Sequence, residues 1–256
     1  MSAPLLQVEH LSKSYGGVHA VRDVSFTLGA GEILALIGPN GAGKSTCFNM
    51  LNGQVRRDAG RVLVGGRDTA GLSPRQVWAL GVGRTFQITA TFASMSVREN
   101  VQVGCLSHAG ALGRLAGFAG AGRRQEAEAL LALVGMEGAA ERPCGELAYG
   151  DLKRLELAVA LSNAPGLLLM DEPTAGMAPA DRVDLMRLVA RIARERRVGI
   201  LFTEHDMDVV FEHADRVMVL DRGRLIAEGA PEAVRRDPLV QRTYLGEGLL
   251  YERGAA

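Results

Sequence analysis

Short apolar runs alternate with glycine turns along the first part of the chain. The runs LLQVEHL, VSFTL and EILALIG come first, and RVLVGG follows a little later. Apolar runs of this length that end at glycine and polar turn residues are typical of β-strands. We therefore predict that the N-terminal part is a set of strands, partly antiparallel.

The apolar spacing changes directly after EILALIG. Phe48, Leu51 and Asn52 recur at helical spacing, and Gly53 follows as a stop signal. This pattern predicts a strand, a loop and a helix in succession.

The middle of the chain, from about Ser94 to Ser162, has mainly helical spacing. Its clearest helical segments are QEAEALLALVG and DLKRLELAVALS. Residues 109–122 are so rich in glycine and alanine that we expect a mobile loop or a frayed helix there.

The C-terminal part returns to short apolar runs. LLLM and GILFT are separated by the helical pattern ADRVDLMRLVARIARER, and RVMVL follows. Such alternation predicts a parallel sheet covered by helices. Asp221, Arg222 and Gly223 predict a turn before RLIAEG, and Pro231 predicts the start of a short helix.

These patterns predict one domain, residues 1–256, in the α/β class. We expect an α/β core from residues 1–93 and 163–256, and an inserted helical subdomain from about 94–162.

Composition excludes several classes of function. The chain has 256 residues, 47% of them hydrophobic, which is typical of a compact globular protein. Its 29 basic and 29 acidic residues give no net charge, so we expect no nucleic-acid partner. The apolar runs are shorter than the roughly 20 residues of a membrane-spanning helix, and MSAPLLQVEH lacks the features of a signal peptide. A cytoplasmic protein is expected.

The three cysteines, Cys47, Cys105 and Cys144, are scattered and lack the spacing of metal ligands. We expect reduced thiols in the core or at its boundary.

A phosphate-binding loop is predicted between the third strand and the first helix. GPNGAGKST matches G-x-x-x-x-G-K-[ST] in the strand and helix context that the motif requires, which disfavours an ordinary glycine turn. Its backbone N–H groups and the helix N-terminus bind phosphates, Lys44 adds a positive charge, and Ser45 can ligate Mg²⁺. The predicted contacts are Gly38, Pro39, Asn40, Gly41, Ala42, Gly43, Lys44, Ser45 and Thr46.

Two carboxylates and a histidine follow later strands. LLLM delivers Asp171, which can support Mg²⁺, and Glu172 beside it can polarise an attacking water molecule. A loop whose carboxylates merely cap the next helix is the alternative. His205 follows GILFT, where open α/β sheets bind ligands, and we expect it to contact the γ-phosphate rather than to serve only structure.

With these motifs in this order, the chain resembles the ATP-binding subunit of an ABC transporter over nearly its full length. It is most similar to the ATPases of branched-chain amino acid importers at LIGPNGAGKST, GVGRTFQ, LAYG, DEPTAG, EHDMDVV and RLIAEGAPEAV…YLGE. The resemblance implies a P-loop NTPase fold with a RecA-like core of mixed, mainly parallel sheet, an antiparallel β subdomain and the helical insertion. ATP and Mg²⁺ are the implied cofactors.

The resemblance also implies partners. Two ATPase subunits, identical or related, would sandwich ATP between one chain's phosphate loop and the other's signature loop. The pair would drive two membrane-spanning permease subunits at the cytoplasmic face of the inner membrane, and a solute-binding protein would act indirectly.

Further roles come from the resemblance alone. Tyr15 would stack on adenine, although a tyrosine on a strand face is the alternative. Gln87 would touch Mg²⁺ and water, so that Ser45, Gln87 and Asp171 form the implied metal set. Residues 87–103 would receive the permease; Phe86, Phe92 and Met95 suit that surface or core packing equally. Residues 175–178 would cross the interface between the two ATPases.

The signature loop departs from the common leucine-Ser-Gly-Gly-Gln form. Ala148 lacks the hydroxyl that would reach the partner's γ-phosphate, while Gly150 keeps the close backbone approach. Asp151 would repel a triphosphate, so we hypothesise that it points away and caps its helix. Ala178 is a second departure, because a polar residue is common there. The residues of the loop are Leu147, Ala148, Tyr149, Gly150 and Asp151.

Other functions compete with the importer. Lipopolysaccharide-export ATPases share the chemistry but generally keep Ser-Gly-Gly in the signature. A soluble ABC protein acting on ribosomes or DNA would carry two cores or a long coiled coil. A nucleotide sensor without hydrolysis is disfavoured by Asp171, Glu172 and His205.

Overall fold

The computed structural model describes residues 3–85, 91–108 and 121–245. Two sheets, one of four strands and one of six, account for the strands of these residues. In chain order the strands are β1 (Leu6–Tyr15), β2 (Val18–Leu28), β3 (Ile33–Ile37), β4 (Ala59–Val64), β5 (Arg67–Asp68), β6 (Val82–Thr85), β7 (Leu167–Asp171), β8 (Gly199–Thr203), β9 (Arg216–Asp221) and β10 (Arg224–Gly229).

Helices occupy much of the remaining described chain. The longest, α6, has 18 residues, and its inward face buries Leu185, Val189 and Ile192 at helical spacing. The helices are α1 (Lys44–Leu51), α2 (Pro74–Ala79), α3 (Val97–His108), α4 (Ala121–Val134), α5 (Tyr149–Ala160), α6 (Pro179–Arg196), α7 (Met207–His213), α8 (Pro231–Arg236) and α9 (Pro238–Val240).

The four-stranded sheet is antiparallel and has the order β2-β1-β4-β5. Leu6, Val8 and Leu11 of β1 are buried, and they pack with α1 and one face of the larger sheet in a shared hydrophobic core. The predicted antiparallel strands in the N-terminal part are confirmed.

The six-stranded sheet has the order β10-β9-β3-β8-β7-β6, in which all neighbours are parallel except β10 and β9. β3 and β8 lie in its interior, and all of their residues are buried. Arg222 and Gly223 have φ angles of 46° and 81°, which form the turn predicted between β9 and β10. The carboxyl ends of β3, β7 and β8 meet at one edge, so Gly38, Asp171 and Thr203 are brought together there.

The helices α3, α4 and α5 contact one another and add buried residues to the second hydrophobic core. They come between β6 and β7 in the chain, where helical spacing was predicted. Most of the segment 109–122, for which a mobile loop or frayed helix was expected, lies outside the described residues.

The three cysteines are buried and carry free thiols, as predicted. Within the ranges that the structure describes, no helix is long and apolar enough to cross a membrane.

Candidate functional site

Residues 38–43 link β3 to α1, and the predicted phosphate loop, 38–46, consists of this link and the first residues of α1. Gly38, Gly41 and Gly43 have φ angles of 145°, 78° and 107°, a backbone region that residues other than glycine rarely adopt. A Cβ atom at Gly38 would lie 2.0 Å from the carbonyl oxygen of Leu220. A Cβ atom at Gly43 would lie 2.2 Å from the carbonyl oxygen of Ala20. Because neighbouring backbone leaves no room for a Cβ atom, positions 38 and 43 require glycine.

Lys44 is the first residue of α1, and it is buried. Its Nζ atom donates to the carbonyl oxygens of Gly38, at 2.6 Å, and Pro39, at 3.2 Å. Burial lowers the pKa of Lys44, while the nearby carboxylates of Glu172 and Asp171 raise it. The ammonium group is therefore held inside the loop and within reach of both carboxylates.

The N-terminus of α1 is open to an anion. Its N-cap, Gly43, provides no side-chain acceptor, so the N–H groups of the first turn have no capping side chain. Ser45 is exposed in this turn. Free N–H groups at a helix N-terminus, with the helix dipole behind them, favour a phosphate.

Asp171 ends β7 opposite the loop. Its Oδ1 accepts from the Thr203 hydroxyl at 2.7 Å, and its Oδ2 lies 3.5 Å from Nη2 of Arg84. Arg84 is held in turn by Asn49 of α1 at 2.7 Å. These contacts fix the direction of the carboxylate beside the loop.

Glu172 follows with a φ angle of 49°, a left-handed conformation that is unusual for this residue type. Its N–H donates to the carbonyl oxygen of Thr203 at 3.1 Å. Its Oε1 lies 3.0 Å from Nε2 of His205, and the two side chains are 23% and 46% exposed. The structure therefore brings together Glu172 and His205 on the open side of the site.

Glu204 fixes the segment that carries His205. It is buried, and its Oε1 accepts from both the N–H and the hydroxyl of Thr174, at 2.8 and 2.6 Å. The N–H of His205 donates to Oε2 of Glu204 at 3.1 Å. The segments after β7 and β8 are thereby joined.

Tyr15 lies at the end of β1, and 48% of its surface is exposed. The Nζ atom of Lys13 is 5.3 Å from its ring centroid. Tyr15 pairs with Val18, two residues before the Ala20 carbonyl that adjoins Gly43. The ring therefore belongs to a hairpin beside the phosphate loop.

The predicted signature loop packs against residues 175–181 of the same chain. The Tyr149 hydroxyl donates to the carbonyl oxygen of Ala175 at 3.1 Å, and its ring lies beside Gly176. A Cβ atom on Gly150 would meet Asp181 at 3.3 Å. The start of helix α5 and residues 175–178, which were predicted to cross the interface, thus form one surface.

Family membership follows from the sequence comparisons. The family model described as "ABC transporter" matches residues 21–175, which is more than half of the chain. The chain belongs to the ABC transporter family of ATP-binding cassettes. A second model, "Branched-chain amino acid ATP-binding cassette transporter", matches residues 224–249. The resemblance read from the motifs is confirmed.

Curated relatives match the cassette over nearly its whole length. The high-affinity branched-chain amino acid transport ATP-binding protein LivG of Salmonella typhimurium is 40% identical, covering 96% of this chain and 100% of its own. BraF of Pseudomonas aeruginosa, which has the same description, is 38% identical with the same coverage. The lipopolysaccharide export system ATP-binding protein LptB of Acidithiobacillus ferridurans is 33% identical over 95% of this chain and 97% of its own.

A solved structure confirms the fold class. A nucleotide-free ATP-binding cassette from an ABC transporter superposes with a TM-score of 0.85 at 29% identity, covering 94% of this chain and 99% of its own. The α/β P-loop NTPase architecture expected for the cassette is therefore correct.

Gln87, Phe86 and Asp151 complete the set of predicted residues. Gln87 and Phe86 lie in residues 86–90, outside the described ranges. Asp151 is the third residue of α5, and the N-cap is Ala148, which makes no side-chain capping bond. The expectation that Asp151 caps α5 is therefore wrong, because Ala148 occupies the cap position; the carboxylate of Asp151 can act on the helix N-terminus only from within the first turn.

Sequence reasoning missed several residues that hold the cassette's site. Thr203 positions Asp171 and lies outside the quoted motifs. Arg84, Thr174 and Glu204 lie within GVGRTFQ, DEPTAG and EHDMDVV, but the motifs gave them no role. The buried polar residues that end GILFTE were the available signal, because a buried Thr and Glu require partners.

Proposed function

We propose that this cassette binds and hydrolyses ATP with Mg²⁺ and powers an importer of branched-chain amino acids or related small polar solutes. The match of residues 224–249 to the branched-chain amino acid cassette model is the observation that carries the substrate class. Residues 224–249 lie outside the range of the general ABC transporter match, residues 21–175, so the two matches rest on different parts of the chain.

The phosphate loop would bind the triphosphate. The residues of Gly38–Thr46 other than Pro39 would contribute backbone N–H groups, and Lys44 would exchange its loop carbonyls for phosphate oxygens. Tyr15 would stack on the adenine, because its ring is exposed beside the loop.

The side chains near the loop fit a magnesium ion. Ser45 and Asp171 offer oxygen atoms, and Gln87 is the third proposed ligand. In the described part of the chain, no three His, Cys, Asp or Glu side chains cluster as metal ligands. Mg²⁺ binds one or two protein oxygens together with substrate phosphates and water, so the oxygens of Ser45 and Asp171 suit it. When bound, Mg²⁺ would neutralise charge on the phosphate oxygens.

Glu172 would accept the proton of the attacking water. His205, 3.0 Å away, would orient that carboxylate and contact the γ-phosphate. Asp171 stays fixed by the hydroxyl of Thr203, so the two neighbouring carboxylates have separate tasks. Glu172 is the more exposed one, at 23% against 10% for Asp171.

The second half of each site would come from a partner ATPase, through its Leu147–Asp151 loop. Ala148 lacks a hydroxyl, which would weaken the sandwich by a hydrogen bond to a charged group, about 1.5–3 kcal/mol. This favours a mixed pair with a related ATPase, with Asp151 directed away from the nucleotide.

The membrane partners would be two permease subunits at the cytoplasmic face of the inner membrane, supplied by a solute-binding protein. Residues 87–103 would receive them, and Phe92 is 52% exposed within that range. Residues 94–162 would form the helical subdomain, and residues 1–93 and 163–256 the α/β core.

Lipopolysaccharide export is the second candidate. The relative with that description is 33% identical, against 40% for the amino acid transport relative. The Ala-Tyr-Gly signature also favours the importer.

Steady-state hydrolysis of Mg-ATP by the purified chain tests the catalytic part. We expect Glu172→Gln to lower turnover about a hundredfold or more while ATP binding remains. Glu195→Gln makes the same change on the exposed face of α6 and should leave turnover at the parent level. Equal turnover in both variants would rule out the role of Glu172.

Purification of the tagged chain from detergent-solubilised membranes tests the partners. We expect two multispanning proteins and a second ATPase in stoichiometric amounts. Ribosomal or DNA-repair proteins in their place would refute the transport role.

A further inference from the structure

Asp58, which directly precedes β4, contacts three successive residues of β1. Its N–H donates to the carbonyl oxygen of Ser12 at 3.0 Å. Its Oδ1 accepts from Nζ of Lys13 and its Oδ2 from the N–H of Ser14, both at 2.7 Å. The next residue, Tyr15, ends the strand. One aspartate therefore holds the chain directly before the exposed tyrosine.

This end of β1 extends past the strand on one of its sides. The pairing of β4 with β1 ends where Ala59, the first residue of β4, lies opposite Ser12. The N–H of Ser14 meets the Asp58 carboxylate where a further strand residue would offer a carbonyl. On the other side, the pairing with β2 changes register before and after Lys13. The aspartate thus supports a part of β1 that strand pairing holds irregularly.

The hairpin tip after Tyr15 lies in open space. A Cβ atom built at Gly16 or Gly17 would have no described atom beyond its chain neighbours within 4 Å. The position of the Tyr15 ring is therefore set by the strand that leads to it.

Lys13 connects the carboxylate to the ring. Its Nζ atom, held by Asp58, lies 5.3 Å from the centroid of the Tyr15 ring, within the range of a cation–π contact. The bonds from Lys13 and Ser14 lower the pKa of the Asp58 carboxyl, so the group is charged at neutral pH. Asp58 therefore supports the tyrosine through its backbone and through the cation beside its ring.

We propose that Asp58 is a positioning residue for nucleotide binding, which holds the Tyr15 ring in place to stack on the base of ATP. The inference rests on the proposed ATP site and deepens it. Aromatic stacking depends on the offset and distance of the two rings. A ring that is held beforehand loses less conformational freedom when the base arrives, and this favours tighter binding.

Asp68 offers a matched control in the same sheet. Its Oδ1 also accepts from one basic side chain and one backbone N–H, those of Arg57 at 2.6 Å and Ala70 at 2.9 Å. It lies in β5, which β4 separates from β1. Arg57 keeps its bond to the Thr69 hydroxyl, at 3.2 Å, when the carboxylate is removed. A change at Asp68 thus removes the same kinds of contact at a distance from the hairpin.

Calorimetric titration of the full chain with Mg-ATP tests the inference. We expect Asp58→Ala to raise the Kd about three- to tenfold, the range expected when an aromatic contact is weakened or lost. Asp68→Ala should keep the Kd of the parent. In steady-state hydrolysis, Asp58→Ala should raise the KM for ATP and leave kcat within about twofold, because stacking on the base is the same in the ground state and the transition state.

The same change in a Tyr15→Ala background shows whether Asp58 acts through the ring. There we expect Asp58→Ala to raise the Kd by less than about twofold. A parent-like Kd in Asp58→Ala, or the full loss in both backgrounds, would overturn the inference while leaving the ATP site intact. Equal losses in Asp58→Ala and Asp68→Ala would also overturn it, since sheet stability would then explain the effect. A parent chain that binds no Mg-ATP would refute the proposed function itself, and the inference with it.

Discussion

At the scale of single residues, Thr203 has the most demanding position in the site. Its hydroxyl donates to Asp171 at 2.7 Å and lies 3.2 Å from the N–H of Glu172, and the residue is 1% exposed. One hydroxyl therefore fixes the first carboxylate and the backbone of the second.

We expect Thr203→Val to lower the free energy of unfolding by about 1.5–3 kcal/mol, because a hydrogen bond to a buried carboxylate is lost. ATP turnover should fall as well, since Asp171 and Glu172 lose their shared support. Denaturant unfolding and steady-state hydrolysis measure the two effects. Thr203→Ser keeps the hydroxyl and should recover most of both; failure to recover would point to packing instead.

Burial raises the pKa of Cys47 to about 12 from an ordinary value of 9.0. At about pH 8 the thiolate fraction is then about a thousandfold lower than in the unfolded chain. We expect Cys47 to resist iodoacetamide in the native protein and to react when guanidinium unfolds it. Mass spectrometry of the modified peptides measures this, and rapid native labelling of Cys47 would contradict its burial.

The sequence predicts the residues whose type is tied to chemistry and misses those that act through position. Lys44, Asp171, Glu172 and His205 follow from motifs. Glu204 opens EHDMDVV, but its role does not follow from the motif, because its partner Thr174 is 30 residues away and becomes a neighbour only when β7 and β8 pair.

At the scale of elements, α5 begins without a side-chain cap. Its N-cap is Ala148, in an extended conformation, and α8 begins the same way at Ala230. Serine at an N-cap stabilises a helix by about 0.5–2 kcal/mol relative to alanine.

We expect Ala148→Ser to raise the free energy of unfolding by about 1 kcal/mol and to strengthen ATP-dependent pairing, because it adds a hydroxyl to the signature loop. Ala230→Ser should give a similar gain in stability without any effect on pairing. Chemical denaturation and light scattering with ATP measure the two quantities. If ATP-dependent pairing were equal in the two variants, Ala148 would not lie in the interface between the two ATPase subunits.

The elements missed by the sequence have weak or short patterns. β6, Val82–Thr85, carries Gly83 and Arg84, which depart from the apolar run of an interior strand. Among the described residues it is an edge strand, with β7 as its one neighbour. α7 has 7 residues, too few for two clear turns of helical spacing.

At the scale of the whole molecule, the parallel sheet assembles the site from distant parts of the chain. The carboxyl ends of β3, β7 and β8 place Lys44, Glu172 and His205 at one edge. The order of the motifs was sufficient to predict this architecture, because each motif follows a strand.

Uptake of radiolabelled leucine by cells that normally carry this chain tests the central claim most directly. Deleting the chain should abolish high-affinity uptake, and the parent or Glu195→Gln should restore it, whereas Glu172→Gln should not. Unchanged leucine uptake in the deletion strain, with loss of lipopolysaccharide from the cell surface, would contradict the importer and assign the ATPase to export.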